Sequence, residues 1–177
     1  MGSLEIAEEI KKTFPDEVIG FTEFRGQVTV SLSKDRIVDI CRYLHDSPDM
    51  SFDYPTDLCA VDNLGRGRTR FEVIYNLYST KYRHRIILKA QVPESDPVID
   101  SVTLIWSGMN WHERETYDMF GITFKGHPDM RRILMPEDWE GNPLRKDYPL
   151  KGPEKEWRGY RNVKEKSRSF REFQWKQ

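Results

Sequence analysis

Between Phe71 and Val92 the chain alternates apolar and polar residues through two successive runs: Phe71, Val73, Tyr75 and Leu77, then His84, Ile86, Leu88, Ala90 and Val92. A period of two places side chains on one face of a β-strand, so the segment predicts two neighbouring strands of one sheet. Glu72, Asn76, Arg83, Arg85, Lys89 and Gln91 fall on the opposite face, which the pattern assigns to water. A sheet with one apolar face must bury it against another layer, and the remaining periodic segments of this chain are mostly helical. The fold class that follows is α+β.

Leu4, Ala7, Ile10 or Lys11, and Phe14 recur near a 3.6-residue period and predict a short helix stopped before Pro15. Strands over Val18 to Phe24 and Gln27 to Leu32 flank Arg25-Gly26 as a hairpin. Ser33 is placed to cap a helix from Lys34 to His45, whose apolar stripe is Ile37, Ile40, Cys41 and Leu44. A strand through Leu58 to Val61 leads across Gly65-Arg66-Gly67-Arg68, read as a hairpin turn; no helix start follows it to hold a phosphate. Residues 98–106 fit a strand or a helical turn equally. Asn110 and Glu113 match a capping box for a helix over Trp111 to Phe120, with Gly121 as its stop.

From Gly126 onward, Gly and Pro interrupt every pattern, which predicts a globular domain over residues 1–125 and an extended C-terminal arm over 126–177, with at most one helical turn near Arg131 to Leu134. The net charge of −1 conceals a division along the chain. Residues 151–177 carry nine Lys and Arg against four Glu, interleaved with Trp157, Tyr160, Phe170, Phe173 and Trp175. Such a tail fits an acidic partner surface; as a reading of a different class it fits nucleic acid, for which only weak, salt-sensitive association is expected.

Several chemistries are excluded by spacing. His112-Glu113 lacks a second His four residues on, where Thr116 stands, so the zinc-protease motif is not formed. Cys41 and Cys59 have no companion at metal-clip spacing and suit a reducing cytoplasm. No apolar run approaches the roughly 18 to 20 residues of a membrane span. The N-terminus has neither a signal-peptide nor a transit-peptide pattern, so the chain is expected to stay in the compartment where it is made. Glu113, Glu115 and Asp118 admit acid–base work, but acidic residues early in a helix also complement its dipole, and Arg114 and Asp118 stand at the i, i+4 spacing of a salt bridge. The structural role is the favoured one.

The run Trp111-His112-Glu113-Arg114-Glu115-Thr116-Tyr117-Asp118-Met119-Phe120-Gly121-Ile122 is followed by Phe124, Gly126-His127-Pro128, Arg131-Arg132-Ile133-Leu134, and then Gly141, Pro143 and Leu144 to Leu150 through Lys146-Asp147-Tyr148-Pro149. This series closely resembles the family of the C subunit of proton-pumping NADH:quinone oxidoreductase, respiratory complex I. The resemblance spans roughly residues 100 to 150. It implies a two-layer α+β domain, a mixed, largely antiparallel sheet covered by helices on one face, acting as a non-catalytic structural and assembly subunit of the hydrophilic arm, with no flavin, iron–sulfur cluster or quinone ligand of its own. It further implies packing against the hydrogenase-like subunit of the quinone pocket and adjacent iron–sulfur subunits. The chain would then lie at the cytoplasmic face of the cell membrane, touching the membrane only through the complex.

Carried onto this chain, the family's motif residues are Glu113, Arg114, Glu115, Asp118, Phe120 and Gly121 on the helix, then His127, Pro128, Arg131, Arg132, Arg145, Asp147, Tyr148 and Pro149 along the arm, with no catalytic, cofactor or metal ligand among them. Their implied role is positional, the arginines ordering and docking the arm. Energy-converting hydrogenases, formate hydrogenlyase and dehydrogenases of reduced coenzyme F420 use related subunits and are the alternative within the superfamily.

Overall fold

The computed structural model describes residues 2–151 and 158–171. Its elements in chain order are α1 (Ser3–Thr13), β1 (Val18–Phe24), β2 (Gln27–Ser33), α2 (Ile37–Asp46), β3 (Tyr54–Asp62), β4 (Phe71–Tyr78), β5 (Arg85–Val92), β6 (Val98–Asp100), α3 (Met109–Phe120), β7 (Thr123–Lys125) and α4 (Arg158–Arg171). Five strands form one sheet in the order β1-β2-β5-β4-β3, antiparallel except where β2 lies parallel to β5. The α+β class read from the alternation is the one observed, with the mixed sheet that the resemblance implied.

The register explains the core. Leu58 stands opposite Tyr75, Ala60 opposite Val73, Val73 opposite Ala90, and Val30 opposite Leu88, so one face of four strands is apolar throughout. Ile6, Ala7 and Ile10 of α1, Ile37, Ile40, Cys41 and Leu44 of α2, and Met109 of α3 join that face in one continuous core. Arg25 and Gly26, at φ +51° and +76°, make the two-residue turn that matches the twist of β1 and β2. In α1 the buried stripe runs through Ile6 rather than the expected Leu4, which is 37% exposed.

Other local expectations are corrected. Ser33 does not cap α2, which opens at Ile37 with Arg36 before it; the Ser33 hydroxyl donates instead to the Glu17 carboxylate. Glu72, assigned to the wet face, is buried near Lys89. Residues 98–106 divide, a short strand β6 pairing in parallel with β7 and a turn following. His84 takes the bland course expected for it, its Nε2 lying 2.8 Å from the Met50 carbonyl beside Phe52 and Tyr82.

The arm is not extended throughout. Residues 158–171 form helix α4, because Gly159 falls in its first turn and neither Gly nor Pro interrupts Tyr160 to Arg171. Residues 126–151 contain no helix, and residues 152–157 and 172–177 of the expected arm lie outside those described. Among the described residues no helix is long and apolar enough to cross a membrane.

Candidate functional site

Helix α3 begins without the expected capping box. Gly108 holds the N-cap position with no side-chain cap, and Asn110 lies within the helix. Glu113, free of capping, is fully buried: its carboxylate accepts the Ser101 hydroxyl at 2.6 Å and the Val102 amide at 2.8 Å. Burial pushes its pKa up to about 7 against those two hydrogen bonds, which lower it. Cys41 and Tyr75 lie close enough to feel its charge, and among the described residues the buried Tyr75 hydroxyl has no hydrogen-bond partner. Glu113 thus fastens the loop before α3 to the helix.

Asp118, five residues on and about 140° round the helix, is fully buried and faces the arm. Its carboxylate accepts the backbone amides of Ile133 at 3.1 Å, Leu134 at 2.8 Å and Met135 at 2.8 Å, and the Arg132 guanidinium at 2.5 Å. Burial alone would raise its pKa; the amides and Arg132 outweigh that and hold it below the ordinary carboxylate value. Arg132 also donates to the carbonyls of Trp139 and Gly141. The expected Arg114–Asp118 salt bridge is absent because both partners are engaged elsewhere. Arg114 donates to the carbonyls of Arg131 and Arg132, each at 3.1 Å, while lying over the Trp111 ring.

An α-helix ends with four carbonyls that lack helical partners. In α3 they are supplied by Gly121 and the arm. The Tyr117 carbonyl takes the Gly121 amide, Asp118 takes the Asn142 side chain, Met119 takes the Leu144 amide, and Phe120 takes Arg145. Gly121 sits at φ +72°, and a Cβ there would lie 2.6 Å from Asn142 Oδ1 and 2.7 Å from Arg145 Nη2. The helix stop predicted from the sequence is therefore also the seat of the arm.

A second fastening joins the arm to the end of the sheet. Arg70, 7% exposed, pairs with Asp62 at 3.2 Å, with Glu94, and with Asp147 of the arm at 2.6 Å. Asp62 also accepts the Lys146 amide at 2.9 Å, and Arg145 and Arg70 both lie over the Phe71 ring. Tyr148 packs on Gly141 and donates to the Glu140 carbonyl.

Of the residues singled out by the motif, the structure brings together Arg114, Asp118, Phe120, Gly121, Arg131, Arg132, Arg145, Asp147 and Tyr148. Glu113 serves the opposite side of α3, and Glu115 is exposed near Asp57 and Cys59. His127 accepts the Asp129 amide at Nδ1, so its Nε2 donates to the Asn110 carbonyl; Pro128 and Pro149 are exposed. Asp62, Arg70, Ser101 and Asn142 belong to the site without being singled out by the sequence pattern. A charged residue at an inward position of β3 was the available signal for Asp62. Among the described residues no three His, Cys, Asp or Glu side chains are grouped to hold a metal ion.

Residues 30–154 match the family described as respiratory-chain NADH dehydrogenase, 30 Kd subunit. The chain is 49% identical over 148 residues to the C subunit of NADH-quinone oxidoreductase from Geobacter sulfurreducens, covering 84% of this chain and 90% of that one. It is 52% identical over 145 residues to the protein of the same description from Roseiflexus sp. RS-1, covering 82% and 83%. Among solved structures, a trypsin-resistant fragment (1–134) of Nqo5 superposes with a TM-score of 0.59 at 30% identity, over 71% of this chain and 97% of that one. A chain of the membrane-bound sulfane sulfur reductase, an archaeal respiratory membrane complex, superposes with a TM-score of 0.68 over 92% and 91%, at 22% identity, and shares the fold.

Proposed function

The chain belongs to the family of the 30 Kd subunit of respiratory-chain NADH dehydrogenase, and on that premise we propose that it acts as a non-catalytic structural and assembly subunit in the hydrophilic arm of a proton-translocating NADH:quinone oxidoreductase. The observation that carries this reading is the match over residues 30–154, which contains both fastenings of the arm. Of the three carboxylates that admit acid–base work, Glu113 and Asp118 are engaged by the chain's own loop and arm, and Glu115 is exposed. In the complex it packs against the hydrogenase-like subunit of the quinone pocket and adjacent iron–sulfur subunits, on the cytoplasmic side of the membrane, and carries no redox group itself. Identities of 49% and 52% to C subunits of NADH-quinone oxidoreductase favour this over a subunit of an energy-converting hydrogenase or a nucleic-acid-binding module.

The test is to tag the chain in a host lacking its own copy and purify it from membranes. NADH:quinone reductase, flavin and iron should accompany the tag, and the chain purified alone should show none of the three. Steady NADH oxidation or stoichiometric iron in the isolated chain would overturn the proposal, as would failure to recover the other subunits.

A further inference from the structure

The sheet order leaves β3 with a neighbour, β4, on one side only. In an antiparallel strand about half of the main-chain N–H and C=O groups face away from the partner, so an edge strand presents a row of unpaired groups. Among the described residues the main chain of 54–62 makes no hydrogen bond outside the β3–β4 ladder. Beside this edge lies a groove of about 150 Å³. Four consecutive residues of the strand, 57–60, line it, so it follows the edge rather than either face. Met119 and Phe120 of α3 and Leu144 of the arm form the apolar far wall.

The rim of the groove is acidic. Asp57, Cys59 and Glu115 all line it, with His112 Nδ1 3.6 Å from Asp57, and among the described residues no Lys or Arg contributes to the lining. A second copy of this chain would bring the same carboxylates to the edge and be repelled, so charge favours a cationic occupant.

We propose that an extended segment of a neighbouring subunit adds to the edge of β3, making main-chain hydrogen bonds along residues 57–60 and placing a Lys or Arg between Asp57 and Glu115. This rests on the reading of the chain as a subunit of the oxidoreductase. The fastened arm builds one wall of the site, since Leu144 is held by its amide to the Met119 carbonyl. Cys59 is exposed in the groove and Cys41 is buried, so the chain carries its own reporter and control.

The experiment compares the free full-length chain with the purified complex. N-ethylmaleimide labelling of Cys59 should slow by about tenfold or more in the complex, and hydrogen exchange at residues 57–60 should slow with it. Glu115→Lys, at an exposed position, should lower the recovery of the chain in the complex by about tenfold with an unchanged circular dichroism spectrum. Equal labelling in both states would overturn the proposal. So would thiol protection without slower exchange, which indicates contact without strand addition. Protection already present in the free chain and lost on truncation after Lys151 would identify the chain's own tail as the occupant and equally overturn it. Failure of the unaltered chain to enter the complex removes the subunit reading and the proposal together, an outcome distinct from the others.

Discussion

Asp118 and Arg132 stand fourteen residues apart and meet as an ion pair in which the carboxylate is wholly buried and the guanidinium 16% exposed. Three successive backbone amides complete the carboxylate's partners, so one side chain of α3 fixes the course of residues 132–135.

Asp118→Ala leaves three amides and a guanidinium without their acceptor and is expected to cost about 3 kcal/mol, since breaking one side of a buried pair is strongly destabilising. Arg132→Met keeps the amide bonds but leaves the buried carboxylate without its cation and should cost about 2 to 3 kcal/mol. Urea denaturation gives the two values, and trypsin cleavage after Arg131 should accelerate in Asp118→Ala. The Asp118 pKa is lowered in the fold, so its contribution is present above the unfolded value and is lost only as pH falls through the lowered one.

Gly121→Ala combines a left-handed backbone with a Cβ forced onto Asn142 and Arg145. The backbone alone costs about 1 to 2 kcal/mol. The side chains of Asn142 and Arg145 must withdraw from the carbonyls of Asp118 and Phe120. Hydrogen exchange of residues 142–148 should quicken more than that of β4 and β5, and equal quickening would show a general loss of stability instead.

Arg70 separates the second fastening from the first. Arg70→Met leaves the buried Asp62 with only the Leu64 and Lys146 amides and should cost about 3 kcal/mol. Asp147→Asn, at a half-exposed carboxylate, should cost no more than about 1 kcal/mol. Denaturation midpoints of the two variants check the ratio; comparable losses would mean that Asp147, rather than Asp62, is the main partner of Arg70.

Glu113 should make stability fall with rising pH. Its folded pKa of about 7 lies above the ordinary 4.5, so between these values the unfolded chain releases a proton that the folded chain keeps. The contribution is complete below about 4.5 and is lost by about 7, amounting to roughly 3 kcal/mol at 1.36 kcal/mol per pKa unit. Glu113→Gln should flatten this slope and exceed the wild type in stability at pH 8. Parallel stability curves for the two proteins across pH 5 to 7 would show that Glu113 is ionised throughout.

Alternation is enough to place β4 and β5, and the stripe Ile37, Ile40, Cys41 and Leu44 is enough to place the buried face of α2, because burial of a regular element writes its period into local sequence. Gly121 is legible for a similar reason, a stop signal being a property of one residue. The role of Glu113 is not legible, since a capping residue and a buried acceptor have the same local sequence, and only the distant Ser101 and Val102 distinguish them. The pairing of Arg114 with Asp118 fails likewise: helix spacing permits it, but Arg132 offers Asp118 a better partner. Helix α4 is hidden when glycines and prolines are averaged over the whole arm, although none falls between Tyr160 and Arg171.

The hydrogen bond from the Lys146 amide to Asp62 spans 84 residues. A contact so distant in sequence carries a large loop-closure cost and cannot persist until the strands between are in register, because Asp62 and Arg70 frame the very turn that joins β3 to β4. Residues 142–148 also emerge late in synthesis, after every strand of the sheet. The arm is therefore the last part of the described domain to settle, and its seating records that the rest has folded correctly. A wall of the β3 groove is completed only at that moment, so an unfinished chain presents its neighbour with an unfinished site.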